Sequence, residues 1–438
     1  MRATKEQTIM NNFGHVIKLE RVRKNMKQIT LAQGICTPSY LSKIENNSIV
    51  PSQEVIDLLL KRLELSISQN KTLNDESYLK QIREINFNAV MNKDRELAAI
   101  QLKEINTERY LFSDSTNYYT YQLMVLRLTL IVQDIRHDTS ELIMALSELS
   151  GNFNEYQMFL FNSCVGSYYS FKLDFNSTLQ AYEKAITYSQ KINMEKWEEA
   201  DFHYQLGHCY ITQQRWVISI EYILKSLEFF KNGFFNTRVV ECHLMLAVAQ
   251  DNSYQYEKAY QNLLLAQKIA LQLNLKEHFP IITQNLGNTA SVRGHSDKAI
   301  QYFLESLESR KDNDEKLPTI YSLVKEYSKL KNSQQIITWA KFGLSLINEN
   351  QNPGFETFSH HFSVYLARET DQLLFEKTTI SAYNFFRDIK DYRHTEKYSL
   401  LLGNFYYKNS KYKNAAKYFA LSNENMFKKN KISCWEDL

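Results

Sequence analysis

A small residue returns along this chain at a nearly constant interval. Gly166, Gly207, Ala247 and Gly287 are spaced by 41, 40 and 40 positions, and Gly403 follows 116 later, three further steps of about 39. Similar partners attend each one: Leu206-Gly207 with Tyr210, Leu286-Gly287 with Ala299 and Phe303, Gly166 with Tyr169, Tyr182 and Ala185, and Leu402-Gly403 with Tyr406, Ala415 and Phe419. Leu246-Ala247 with Ala259 and Ala266 is a weaker copy. A small residue lets two helices cross closely, and aromatic and alanine positions fill the space around the crossing. Such hairpins are too small to bury their own faces, so each is stabilised by stacking on its neighbours.

The pattern is that of tetratricopeptide-type repeats, with a period longer than the ~34 residues of the standard unit, which implies longer helices or loops. Less regular pairs around 75–107, 115–150, 315–349 and 354–388 bring the expected total to about nine hairpins, a right-handed superhelical array over residues 76–430. Composition agrees. Only 11 Gly and 5 Pro punctuate 438 residues, too few breakers for sheets with tight turns, so the fold class is all-α. At 44% hydrophobic the chain should be folded throughout, and at this length in more than one unit. Five widely spaced cysteines, Cys36, Cys164, Cys209, Cys242 and Cys434, form no CxxC pair and read as reduced thiols of a cytoplasmic protein. The opening Met1-Arg2-Ala3-Thr4-Lys5 lacks the order of a signal peptide, and no apolar run approaches a membrane span.

Net charge is +3, unevenly distributed: residues 1–70 carry ten Lys/Arg against six Asp/Glu, leaving the remainder near neutral. A basic head on a neutral body suits a DNA-binding module joined to a sensor. In that head, Val16, Ile17, Leu19, Val22 and Met26 recur at helical spacing and predict a first helix over 13–24. A short helix follows around Gln28–Gln33, which Gly34 can close, and Thr37 with Pro38 are capping and first-turn residues for a third. A fourth runs from Pro51-Ser52 to Leu63, with Val55, Ile56, Leu59 and Leu63 inward. Helix, glycine turn, helix is the helix-turn-helix arrangement, expected over residues 1–65 with a polar linker at 66–75. Leu41 and Ile44 turn inward, which leaves Pro38, Ser39, Tyr40, Ser42, Lys43 and Asn46 to face a major groove. Glu45 would be repelled by phosphates, so the reading pairs it with Arg21 as a structural brace.

Gly14, Ile17, Arg21, Lys24, Met26, Gln28, Leu31 and Ala32 fall where Cro/repressor-like domains have recurring residues. The run from Ala32 to Asn46 with Pro51-Ser52 resembles the opening domain of PlcR/NprR-type (RRNPP) quorum-sensing regulators. That resemblance implies DNA contact by Gln28 and base or phosphate contact by Ser39, Tyr40 and Lys43. Through the array it extends, less specifically, to NprR-type regulators and to the Rap proteins, which share the array without the head. A helix-turn-helix used only for protein contact is the alternative for the head.

In such an array, positions three before and one after the crossing residue should line the concave side. They give Tyr204 and His208, Leu244 and Val248, Gln284 and Asn288, Leu400 and Asn404, with Tyr321 and Lys325 in an irregular pair and Asp251 and Asn252 one turn further on. Amides donate and accept together, so Gln284 and Asn288 are the candidates for clamping an extended peptide backbone, supported by Tyr204, His208, Asp251, Tyr321 and Lys325. The expected function is a peptide-responsive transcription regulator whose partners are a double-stranded DNA operator, a short signalling oligopeptide and a second copy in a homodimer or tetramer. The other reading is a Rap-like scaffold that sequesters a sporulation response regulator. No GxxxxGK[ST], HExxH, GxSxG or GxGxxG occurs, and His360-His361 lacks a carboxylate at ligand spacing, so neither enzyme, cofactor nor metal is expected.

Overall fold

The computed structural model describes residues 13–65, 74–107, 112, 114–132, 139–350, 353–430 and 432–433. The opening pentapeptide, most of the expected linker and Cys434 lie outside the described residues. Among the described residues every long regular element is an α-helix and there is no strand. The chain divides into two compact units, Met1–Gln255 and Tyr256–Leu438.

The first unit opens with four short helices, α1 (Phe13–Arg23), α2 (Gln28–Ala32), α3 (Pro38–Glu45) and α4 (Gln53–Arg62). They close a small core of Phe13, Ile17, Leu31, Leu41, Ile44, Ile56, Leu59 and Leu63. Gly34 takes φ +72° in the turn between α2 and α3, a conformation that an L side chain enters at a cost. Gly14 serves a different need. Its N–H donates to Asn47 Oδ1 at 3.1 Å, and an added Cβ would lie 2.0 Å from the Ile44 carbonyl oxygen.

Paired helices follow in the same unit: α5 (Asp75–Met91) with α6 (Arg95–Thr107), α7 (Ser115–Val132) with α8 (Ser140–Leu149), α9 (Glu155–Phe171) with α10 (Phe175–Ser189), and α11 (Lys196–Thr212) with α12 (Trp216–Asn232). Helix α13 (Asn236–Asn252) closes it. The second unit holds α14 (Tyr256–Gln272) and the pairs α15 (Phe279–Val292) with α16 (Ser296–Ser309), α17 (Asn313–Lys329) with α18 (Ser333–Asn350), α19 (Glu356–Thr370) with α20 (Gln372–Asp388), and α21 (Tyr392–Lys408) with α22 (Tyr412–Asn430).

The crossing glycines are where the repeat pattern places them. A Cβ at Gly166 would meet the Tyr182 ring at 2.3 Å, at Gly207 the Ile223 side chain at 2.5 Å, at Gly287 the Phe303 ring at 2.5 Å, and at Gly403 the Phe419 ring at 2.6 Å. The partner is sixteen residues on each time, so one contact repeats through the array.

Most turns out of these helices use a residue other than glycine in the left-handed region: Leu173, Gln214, Phe234, Tyr254, Asn274, Lys331, Lys390 and Ser410, all with φ near +58°. After α9, Leu173 N–H bonds to Ser170 O and Asp174 N–H reaches back to Tyr169 O, which satisfies carbonyls at the helix end. This is why so helical a chain manages with so few glycines.

Helix α1 carries two apolar faces. Phe13 and Ile17 point into the head, whereas Leu19, fully buried, and the half-buried Val16 and Val22 belong to the core of the repeat body, with α1 packed on α8. Burying a leucine contributes about 2 kcal/mol. His15 Nδ1 and Tyr119 Oη lie 2.5 Å apart across the same seam, with their rings edge to face. Burial, then Lys18, holds His15 below its ordinary pKa, and burial pushes Tyr119 up to about 12, so a neutral phenol and a neutral imidazole share this hydrogen bond.

Candidate functional site

In the head, Thr37 Oγ1 accepts from Tyr40 N at 3.2 Å and Pro38 fills the first turn of α3. Leu41 and Ile44 are buried beneath it. Pro38, Ser39, Lys43 and Asn46 are exposed, and Tyr40 and Ser42 are half-buried. Glu45, 1% exposed, is gripped by Arg21 through Nε at 2.5 Å and Nη2 at 3.0 Å. The same guanidinium donates from Nη1 to Met26 O at 2.8 Å, which ties α1 to the turn before α2. Gln28 donates from Nε2 to Glu45 at 2.7 Å, so one of its two amide N–H groups serves the brace, and the other N–H and the oxygen are left over. Arg62 of α4 donates to the carbonyls of Leu31 and Gln33 and holds the end of α2.

In the first unit's repeat body, a cleft of about 160 Å³ is lined in part by Lys93, Arg127, Asp201, Tyr204 and Arg238. Asp201 is its charge centre: Arg127 Nη2 lies 2.6 Å from one carboxylate oxygen and Arg238 Nη2 2.8 Å from the other. Glu241 lies 3.0 Å from Arg238 and 3.5 Å from Lys93, and Glu198 lies 3.5 Å from Arg127. Burial opposes ionisation of Asp201, but Arg127 and Arg238 outweigh it and keep the carboxyl below its ordinary value. Burial, then Arg238, lowers Lys93. Tyr204 lies 4.0 Å from the Arg238 guanidinium, as a cation–π partner. The buried Nε of Arg238 has no hydrogen-bond partner among the described residues. His208 is exposed, and Asp251 is half-buried near the end of α13.

The other four residues expected to bind peptide lie in the second unit, on α15 and α17. Gln284 accepts from Thr319 Oγ1 at 2.7 Å and donates to Ser322 Oγ at 3.1 Å, so its amide joins the two helices. A weaker donation, at 3.4 Å, reaches Asn288 Oδ1. The half-buried Asn288 therefore keeps a less committed amide than Gln284. Tyr321 stacks on His361, with ring centres 4.3 Å apart, and lies 5.0 Å from Lys325 Nζ.

The expectations above did not include Lys93, Arg127, Asp201, Arg238, Tyr365, Lys397 or Tyr398. A signal existed: Asp201 and Lys397 each stand six residues before a crossing glycine, one turn earlier on the same helix face as the positions that were considered. Among the described residues no group of His, Cys, Asp and Glu could hold a metal ion, and no helix is long and apolar enough to cross a membrane.

A helix-turn-helix family model matches residues 17–70. The transcriptional activator NprA of Geobacillus stearothermophilus is 30% identical over 92% of this chain and 100% of its own length. Response regulator aspartate phosphatase E of Bacillus subtilis (strain 168) is 26% identical over 65% of this chain and 78% of its own. Among solved structures, the apo form of the quorum sensor NprR from B. thuringiensis superposes with a TM-score of 0.68, at 17% identity, covering 80% of this chain and 98% of that one. NprR with its cognate peptide NprX gives 0.54, at 19% identity, over 80% and 99%. Fold and sites thus define a helix-turn-helix protein with a helical-repeat body. The chain belongs to the PlcR/NprR-type family of transcriptional regulators.

Proposed function

We propose that this chain is a peptide-responsive DNA-binding regulator of the cytoplasm, in which an oligopeptide held by the repeat body controls the helix-turn-helix heads of a homodimer or tetramer. The observation that carries this reading is the shared helix: α1 belongs at once to the head's core and to the body's core. A ligand that alters the packing of the body changes the surroundings of Leu19 and Tyr119, and hence the placement of α3. Paired heads would then meet half-sites about one helical turn apart only in one state. The charged cleft beside Tyr204, and a structural neighbour solved with a peptide, support a peptide as the ligand.

The test is operator affinity of the full chain, by fluorescence anisotropy, with and without peptides identified by mass spectrometry as co-purifying from the native host. A shift of about tenfold or more is expected. Unchanged affinity at saturating peptide overturns the reading. The likeness to an aspartate phosphatase favours a second role, sequestration of a response regulator by the body. Lys43→Glu with Ser39→Glu separates the two, because it should abolish DNA binding and spare such a contact. Truncation of the head would not separate them, since it strips Leu19 from the body's core.

A further inference from the structure

We propose that a pocket between α19 and α21 is a carboxylate subsite: it takes a carboxylate of the bound peptide on Lys397 and Arg368, with a small aliphatic group beside it. The inference rests on the peptide-binding reading above and adds the chemistry of the ligand.

The pocket, about 160 Å³, is lined by Val364, Tyr365, Arg368, Lys397, Leu400 and Leu401, among others. Lys397 Nζ donates to Tyr321 Oη at 2.8 Å and, more weakly, to Tyr365 Oη at 3.4 Å. It lies 5.1 to 5.4 Å from the ring centres of Tyr365, Tyr398 and Tyr321. Tyrosine hydroxyls and faces solvate an ammonium but leave its charge uncancelled. Among the described residues no carboxylate lies within ion-pair distance of Lys397 or of Lys325. Burial, then the charges of Lys325, Arg368 and Arg393, lowers Lys397 to about 7.

The first unit's cleft shows what a balanced site looks like in this protein. Arg127 and Arg238 there bracket Asp201, with Glu198 and Glu241 beside them. Of the two cations that line the pocket between α19 and α21, Arg368 has an acid, Glu369, at 2.8 Å, and Lys397 has none at ion-pair distance among the described residues. Lys397 and Lys325, which have no ion-pair partner among the described residues, repel each other, and an incoming carboxylate relieves that repulsion. Val364 is buried and Leu401 half-buried beside Lys397, and a charge-assisted hydrogen bond next to such apolar surface is stronger than one in solvent. A main-chain carboxyl terminus and an Asp or Glu side chain share this chemistry.

The test uses full-length protein and an equimolar hexapeptide library in four preparations: with free or amidated C-termini, and with Asp and Glu either present or replaced by Asn and Gln. Retained peptides are quantified by affinity selection and mass spectrometry. The wild type is expected to prefer one carboxylate source by roughly tenfold or more. If the terminal acid is the source, the amidated forms fall away; if a side chain, the Asn/Gln forms do. Lys397→Met should erase the preference while peptides are still retained, and Lys397→Arg should keep it. An unchanged melting temperature shows that Lys397→Met is folded. Retention without any carboxylate preference in the wild type, or an undiminished preference in folded Lys397→Met, overturns the subsite and leaves peptide binding standing. Retention of no peptide in any preparation overturns both.

Discussion

Gly14 and Glu45 show how little slack the head allows. A methyl group at Gly14 would press on the backbone oxygen of Ile44, which no rotamer change can clear, so Gly14→Ala should weaken the head by about 1 to 3 kcal/mol. Glu45→Ala removes the acceptor for both Arg21 and Gln28 and strands a largely buried guanidinium, at a cost of about 3 kcal/mol. In both variants urea denaturation should show the head melting early, with operator affinity lost; a wild-type midpoint would contradict this account. The sequence suggests the Arg21–Glu45 brace because a carboxylate on a phosphate-facing helix calls for a cation nearby. It does not reveal that Gln28 joins the brace, since which way an amide turns depends on where two other helices end.

At the scale of elements, the crossing glycines and their partners are legible because steric need repeats with the period of the hairpin. Turn geometry is less so: a reader who expects glycine at helix ends finds Leu173, Phe234 and Tyr254 there instead. The left-handed residue is fixed by the chain's return path, which sequence periodicity does not encode. These positions carry avoidable strain. Phe234 is 82% exposed, and Phe234→Gly should stabilise the first unit by roughly 0.5 kcal/mol, the relief of a strained φ less the entropy glycine loses. A lowered melting temperature would show that the exposed ring contributes more than the strain costs. The two faces of α1 are likewise only half visible. Val16, Leu19 and Val22 read as one amphipathic stripe with Ile17, whereas the fold sends Leu19 to a different core.

Over the whole molecule, buried groups set a pH dependence. Burial first, then Lys397, His394, Lys325 and His360, lowers His361 from 6.5 to about 2, while Tyr398, whose own ionisation burial suppresses, lies 2.5 Å from its Nδ1. Between those two values the unfolded chain binds a proton that the folded chain refuses. The His361 contribution to stability is therefore complete above about pH 6.5 and is lost progressively as the pH drops below it. The urea midpoint of the second unit, followed by Trp339 fluorescence in a background where Trp197, Trp216 and Trp435 are replaced by Phe, should decline from about pH 6.5 to about pH 5 while His361 is intact. The decline should be shallower in His361→Gln, and equal slopes would contradict the assignment. Lys397 has the opposite aspect in use: as the pH rises through about 7 it loses its proton, so affinity for a carboxylate-bearing peptide should fall. The charges that act on it are those of Lys325, Arg368 and Arg393; Tyr321, Tyr365, Tyr398 and His361 lie around it, and Asp391 acts on Tyr321, Tyr398 and Arg393.

The head and the repeat body share one helix, α1, and through it an event in the body is proposed to reach the DNA-reading surface. Amide hydrogen exchange over residues 13–23 of the full-length protein, with and without the co-purifying peptide, tests it most directly. Peptide addition should change protection along α1, and Leu19→Ala should lose that change. Identical exchange along α1 in the free and saturated protein, with operator affinity nonetheless altered, would contradict it.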